Sequence, residues 1–117
     1  MPQFSIVTPV YRPDPSELSA TVEAVLAQTI TDWELILVDD HSQDAQVAAT
    51  LSSFAARDPR IRVYSRTENG GIVAASNDGI DFALGQWLVF LDDDDLLTTD
   101  ALAALKNTIT NHPKVGY

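Results

Sequence analysis

Residues 90–102 read FLDDDDLLTTDAL, four consecutive carboxylates, Asp92 to Asp95, set directly behind the apolar run Trp87, Leu88, Val89, Phe90, Leu91. Two carboxylates ~4 Å apart repel by about 4 kcal/mol at an effective dielectric near 20, and each raises the other's pKa. Such a run at the end of a buried strand needs a positive charge from elsewhere. If the strand continues through Asp94, side-chain alternation turns Asp92 and Asp94 to one side and Asp93 to the other, so a D-x-D spacing presents two oxygens to one ion. Hard divalent cations such as Mg²⁺ take oxygen ligands, commonly one or two carboxylates together with substrate phosphates. The chemistry open to this stretch is therefore to hold a metal and, through it, a phosphate ligand.

Two other stretches carry unusual polar residues behind apolar runs: Thr8-Pro9-Val10-Tyr11 and Asp39-Asp40-His41-Ser42. To act with the aspartate run they must share one edge of the fold. The elements provide for this, because short β-branched runs alternate with segments of helical period, the pattern of a parallel sheet with crossover helices. Strands are expected at Phe4 to Thr8, Glu34 to Val38, Ile61 to Tyr64 and Trp87 to Leu91. Asp14-Pro15-Ser16-Glu17 reads as an N-cap, a proline at the first helical position and a capping glutamate, with Leu18, Val22, Val25 and Leu26 as the apolar stripe behind it. A second helix carries Val47, Leu51 and Phe54 and stops before Asp58-Pro59. A third, after Asn69-Gly70-Gly71, is expected to bury Val73, Ile80 and Leu84. A fourth, capped by Thr98, Thr99 or Asp100, shows Leu102, Leu105 and Ile109, and Val115-Gly116-Tyr117 looks like the start of a further strand. In an open parallel sheet, ligands bind outside the carboxyl ends of the strands, where all three polar stretches would converge.

Composition narrows the ligand. The chain has 117 residues, one domain's worth, and 45% hydrophobic content, enough for a real core. Its net charge of −10 argues against nucleic acid or an anionic membrane surface as direct partner, so an anionic ligand would need a cation's help. With no cysteine, disulfides, thiolate zinc sites and a cysteine nucleophile are excluded. No apolar run approaches the ~20 residues that span a bilayer, and Met-Pro-Gln-Phe opens no signal peptide, so a cytoplasmic setting is expected, with the inner face of a membrane open to the full-length protein. There is no G-x-G-x-x-G after the first strand and no P-loop motif. Arg12 and Arg66 are the nearest cations by sequence, which leaves metal bridging as the most economical way to hold a diphosphate beside so many aspartates.

The series FSIVTPVYRP, LILVDDHSQD and RTENGGIVAASNDGIDFALGQWLVFLDDDDLL, in that order and covering essentially the whole chain, resembles the nucleotide-binding half of family 2 glycosyltransferases of the GT-A fold. That resemblance implies a Rossmann-like, mostly parallel α/β sheet with helices on both faces, truncated here. It also implies inverting transfer of a sugar from a nucleotide-diphosphate donor to a saccharide or other hydroxyl acceptor, with Mg²⁺ or Mn²⁺. On the matching positions, Thr8, Pro9 and Tyr11 would wall the base pocket, and Asp40, with Asp39 beside it, would hydrogen-bond the base. Asn69, Gly71 and Asn77 would stand beside the nucleotide, Asp92 would contact ribose or diphosphate with Asp93 next to it, and Asp94 would hold the metal with Asp92. Ser76 stands where many members have arginine, which removes a cationic phosphate contact. The family's general base lies beyond the position of Tyr117, so the chain is expected to bind a donor without transferring it, and to expose a sheet edge open to pairing with another copy.

Plainer readings stand beside these. Asp39-Asp40 could cap the following helix with Ser42. Gly70-Gly71 could be only a turn, and Tyr11 only an exposed aromatic; His41 and His112 pair with nothing in the sequence. A receiver-type phosphoacceptor domain shares the acidic pair at a strand end, but there the pair ends the first strand, and only 77 residues follow Asp40 here. An EF-hand counted from Asp92 would put Leu97 and Ala103 where glycine and glutamate belong.

Overall fold

A computed structural model of the chain describes residues 2–111. Strands β1 (Phe4–Val10), β2 (Trp33–Asp39), β3 (Ile61–Ser65) and β4 (Trp87–Phe90) alternate with helices α1 (Pro15–Leu26), α2 (Ala45–Arg57), α3 (Gly71–Phe82) and α4 (Ala101–Asn111). All strand pairings are parallel, in the order β3-β2-β1-β4. The α/β expectation holds, and the chain direction across the sheet reverses between β1 and β4. The segment Val115 to Tyr117 and His112 lie outside the described residues.

The strand sequences dictate two cores because successive side chains face opposite ways. Phe4, Ile6 and Val10 of β1 and Trp33, Leu35 and Leu37 of β2 meet Leu18, Val22 and Val25 of α1, Val47, Leu51 and Phe54 of α2 and Leu102 of α4. Val7, Ile36 and Val38 point to the other face, against Ala75 of α3. Asp14 caps α1 as its sequence predicts, accepting from the backbone N–H of Ser16 at 2.8 Å and Glu17 at 3.4 Å. Asp44 does the same for α2 through Gln46 and Val47, at 2.8 and 3.2 Å.

The third helix departs from expectation. Its buried residues are Ala75 and Gly79, whereas Val73, Ile80 and Leu84 are exposed. The reason is close approach: a Cβ on Gly79 would lie 2.3 Å from Cγ1 of Val7, so only small residues allow α3 to lie this near the sheet. Large apolar residues at helical spacing mark an exposed face here; Ile72, Val73, Ile80 and Phe90 line a shallow depression beside edge strand β4.

At the amino ends of the strands, Glu34 organises a buried polar network. It accepts from Ser5 Oγ and from the Leu84 N–H, each at 2.6 Å, and pairs with Arg62, while Ser5 accepts from the Gly85 N–H at 2.7 Å. This network pins the α3–β4 connection. Burial pushes the Glu34 carboxyl up, but the bonds from Ser5, Leu84 and Arg62 outweigh it and hold the pKa below its ordinary value.

Candidate functional site

At the opposite, carboxyl edge of the sheet a cavity of about 370 Å³ opens at the β1/β4 switch point. Pro9 and Val10 end β1 and Tyr11 follows it, Asp40 follows β2, Asn69, Gly71 and Ile72 enter α3, and Asp92, Asp93 and Asp94 follow β4. The structure thus brings together most of the residues singled out from the sequence. Asn77 is offset, lining the adjoining depression with Ser76. Thr8 is not at the surface: β1 runs on to Val10, so Thr8 lies fully buried inside the strand, its Oγ1 without a hydrogen-bond partner among the described residues.

The four aspartates adopt a turn rather than extended strand. β4 ends at Phe90, and the Asp95 N–H donates to the Asp92 carbonyl at 3.2 Å. The alternation premise therefore fails, yet the turn gathers carboxylates just as tightly: Asp92, Asp94 and Asp95 can each offer an oxygen with all three atoms within 4.8 Å. Asp95 is an addition that strand geometry could not supply. Asp93 goes elsewhere, accepting from the Tyr11 N–H at 3.3 Å. Its burial pushes its pKa up; the Tyr11 bond opposes this, and the negative charges of Asp94 and Asp92 add to it, leaving the carboxyl above its ordinary range. No salt bridge among the described residues reaches Asp92, Asp94 or Asp95. An exposed set of carboxylate oxygens converging without a protein cation fits a hard divalent ion in donor type and number.

Asp39 and Asp40 are arranged differently. Asp39 Oδ1 accepts from Ser42 Oγ at 2.6 Å and from the Ser42 N–H at 3.2 Å, and Ser42 Oγ in turn accepts from the Arg12 N–H at 2.9 Å. This ties the loop after β2 to the loop after β1, where Arg12, His41 and Gln43 all take positive φ. Asp40 is 2% exposed, and its two carboxylate oxygens accept from the N–H groups of Gly70 at 3.0 Å and Gly71 at 2.7 Å. It serves as the N-terminal cap of α3, a helix with no side-chain cap of its own. Neither aspartate caps α2. Gly71 has φ +88°, a backbone shape that glycine supplies freely.

Arg66 completes this arrangement. Its Nε lies 2.9 Å from Asp40 Oδ1 as an ion pair, although the N–H is not aimed along that line, and its Nη1 pairs with Asp78. Of the two cations noted in the sequence, Arg66 is thus committed to holding α3. Arg12 donates its Nε to the Ser42 carbonyl at 3.2 Å and sits over the Tyr11 ring, 5.4 Å from its centre.

Two residues, Thr21 of α1 and Gln28 just past its end, escaped sequence reasoning. Gln28, 5% exposed, donates to the carbonyls of Ala24 at 3.0 Å and Thr98 at 2.7 Å and accepts from the Leu102 N–H at 3.1 Å. It supplies from a distance the α4 cap expected of Thr98, Thr99 or Asp100; Thr98 Oγ1 instead donates to the Asp100 carboxylate at 2.9 Å. Thr21 Oγ1 lies 3.1 Å from the Asp93 carbonyl, as well as 3.0 Å from that of Glu17. A glutamine just past an apolar stripe was the only available signal, and by itself it names no partner.

Comparison with known proteins bears on the whole chain. Residues 5–117 match the model of glycosyl transferase family 2. A Sinorhizobium fredii protein, y4gI, is 46% identical over 112 residues, 96% of this chain but 12% of its own length. Among solved structures, S. aureus TarS in complex with UDP-GlcNAc superposes with a TM-score of 0.86 at 23% identity, over 95% of this chain and 32% of that one. The Pyrobaculum calidifontis mannosyltransferase PcManGT, in complex with GDP-Man and Mn²⁺, gives 0.83 at 21% identity, over 92% and 32%. At those identities the two structures speak for the fold. Nothing in these matches supports a receiver-type domain.

Proposed function

The chain belongs to glycosyl transferase family 2, and from that premise we propose that it forms the donor-binding part of an inverting glycosyltransferase using a nucleotide-diphosphate sugar and a divalent metal. The observation that carries this reading is the single pocket into which four chain segments bring Pro9, Tyr11, Asp40, Asn69, Gly71 and the aspartate turn. TarS with UDP-GlcNAc and PcManGT with GDP-Man and Mn²⁺ share the fold and support a donor of this class.

In this reading Pro9 and Tyr11 wall the nucleotide, with Thr8 supporting them from inside β1. Asp40 acts chiefly by holding Asn69 and Gly71 at the pocket rim, since its carboxylate already accepts two backbone N–H groups. Asp39 fixes the neighbouring loop, and Asn77 stands at the pocket's edge. Asp92 and Asp94, joined by Asp95, would hold Mn²⁺ or Mg²⁺, and Asp93 would line the diphosphate side while anchoring Tyr11. A cation there offsets the mutual repulsion of the carboxylates and supplies the positive charge that a leaving diphosphate needs. Deprotonating the acceptor hydroxyl takes a base on the side opposite the leaving group. Asp39 and Asp40 are hydrogen-bonded into the fold and Asp92, Asp94 and Asp95 lie on the leaving-group side. We therefore assign the base to none of these carboxylates.

Calorimetry with UDP, GDP and dTDP, each with Mn²⁺ or with a chelator, tests the reading. Binding of one or more with Mn²⁺ and loss of that binding on chelation is expected; equal affinity in the chelator would remove the metal from the account.

A further inference from the structure

We propose that Gln28 and Thr21 are positioning residues: α1, through Thr21, and the segment just past its end, through Gln28, grip the loop that carries the acidic turn at its two ends and so set the spacing of its carboxylates. The inference rests on the donor-site reading above. Thr21 lies on the buried face of α1, and Gln28, itself buried, stands two residues past the end of that helix at Leu26. Thr21 reaches the Asp93 carbonyl at one end of the loop, and Gln28 reaches the Thr98 carbonyl and the Leu102 N–H at the other. The Thr29 N–H adds a bond to the Thr99 carbonyl at 2.9 Å. Between the two grips lie Asp94, Asp95, Leu96 and Leu97, and Leu97 packs against the main core.

The restraint has a purpose that local stability alone does not require. Asp92, Asp94 and Asp95 repel one another and form no salt bridge among the described residues, so a free loop would splay them apart. A backbone held at both ends keeps their oxygens within reach of one ion before the ion arrives. Gln28 is suited to this because one amide both donates and accepts. Glutamate in its place would lose both donated bonds and bury a charge, and leucine would lose all three bonds. Its burial also rules out direct contact with a ligand, so it can act only through the loop.

The test is Mn²⁺ affinity, read by electron paramagnetic resonance with UDP, GDP and dTDP in turn, for wild type, Gln28→Leu, Thr21→Val, Thr21→Ser and Val25→Ala. Groups that orient metal ligands typically change affinity by about tenfold or more when removed, which is the loss expected for Gln28→Leu. Thr21→Val should lose less, and Thr21→Ser, which keeps the hydroxyl, should bind as wild type. Val25→Ala thins the same helix's core contact without touching the turn, so its melting temperature should fall while its Mn²⁺ affinity stays. Hydrogen exchange at residues 94–99 should quicken in Gln28→Leu. If Gln28→Leu does not fold, the near-isosteric Thr21→Val carries the comparison. Wild-type affinity in the folded variants would overturn the positioning role alone; failure of wild type to bind Mn²⁺ with any diphosphate would overturn the donor-site reading and this inference with it.

Discussion

Asp39-Asp40 and Asp92 to Asp95 look alike in the sequence, each an acidic run behind a buried strand, but the fold treats them oppositely. The first pair is buried and satisfied: Asp39 by Ser42, Asp40 by two backbone N–H groups and Arg66. In the second run only Asp93 is partly enclosed; Asp92, Asp94 and Asp95 are exposed, crowded and without a salt bridge among the described residues. Carboxylates that the chain itself satisfies hold loops and helix ends in place. Those it leaves unsatisfied are the ones available to something from outside, and the difference is set by where backbone N–H groups point, which sequence does not record.

Breaking the satisfied side should have the largest effect. Asp40→Ala leaves the N–H groups of Gly70 and Gly71 without their acceptor and Arg66 with Asp78 alone, and removing one member of a buried pair typically costs about 3–5 kcal/mol. Urea denaturation should show a loss of that order, with α3 the first element to exchange its amide hydrogens. A change under about 1 kcal/mol would mean that the cap is not what holds this corner.

The unsatisfied side should respond in binding and not in stability. Asp94→Asn should weaken metal-dependent nucleotide binding by about tenfold or more while leaving the denaturation midpoint at or above that of wild type. Asp93→Asn should weaken it less, because its side chain faces Tyr11. The reverse order, measured calorimetrically, would relocate the site.

A smaller effect extends the comparison to a third carboxylate of the satisfied kind. Glu34 has a folded-state pKa below its unfolded value, so its contribution is fully present above the unfolded value and is lost as pH falls through the folded one. Stability of wild type should therefore decline on the acid side of the ordinary glutamate range, and Glu34→Gln should be less stable at neutral pH but show a shallower acid decline. Parallel slopes for the two proteins would mean that another group governs that limb.

How much of this was legible in advance follows the same division. The strands and α1 were, because buried parallel strands need near-continuous apolar runs and Asp14-Pro15-Ser16-Glu17 states a helix start in local terms. The buried face of α3 was not: pattern reading weights Val73 and Ile80, whereas close packing selected Ala75 and Gly79. The crowding of charge in the aspartate run was readable, but not its conformation: the turn closed by the Asp95 N–H on the Asp92 carbonyl is set by backbone dihedrals and packing that the local sequence does not state. Gln28 was invisible because its partners, Thr98 and Leu102, lie 70 and 74 residues away.

Whether the exposed aspartate turn is held in readiness for a cation is decided by the thermal stability of wild type and Asp94→Asn with and without Mn²⁺ plus UDP, GDP or dTDP. Without additions the variant should be as stable as wild type or slightly more so, because one repelling charge is gone. With Mn²⁺ and a bound diphosphate at about 100 times its dissociation constant, wild type should gain about 2.7 kcal/mol and the variant little. A variant already destabilised without metal, or a wild type indifferent to Mn²⁺ with every diphosphate, would contradict the account and make the turn one more acidic loop whose charges serve the fold alone.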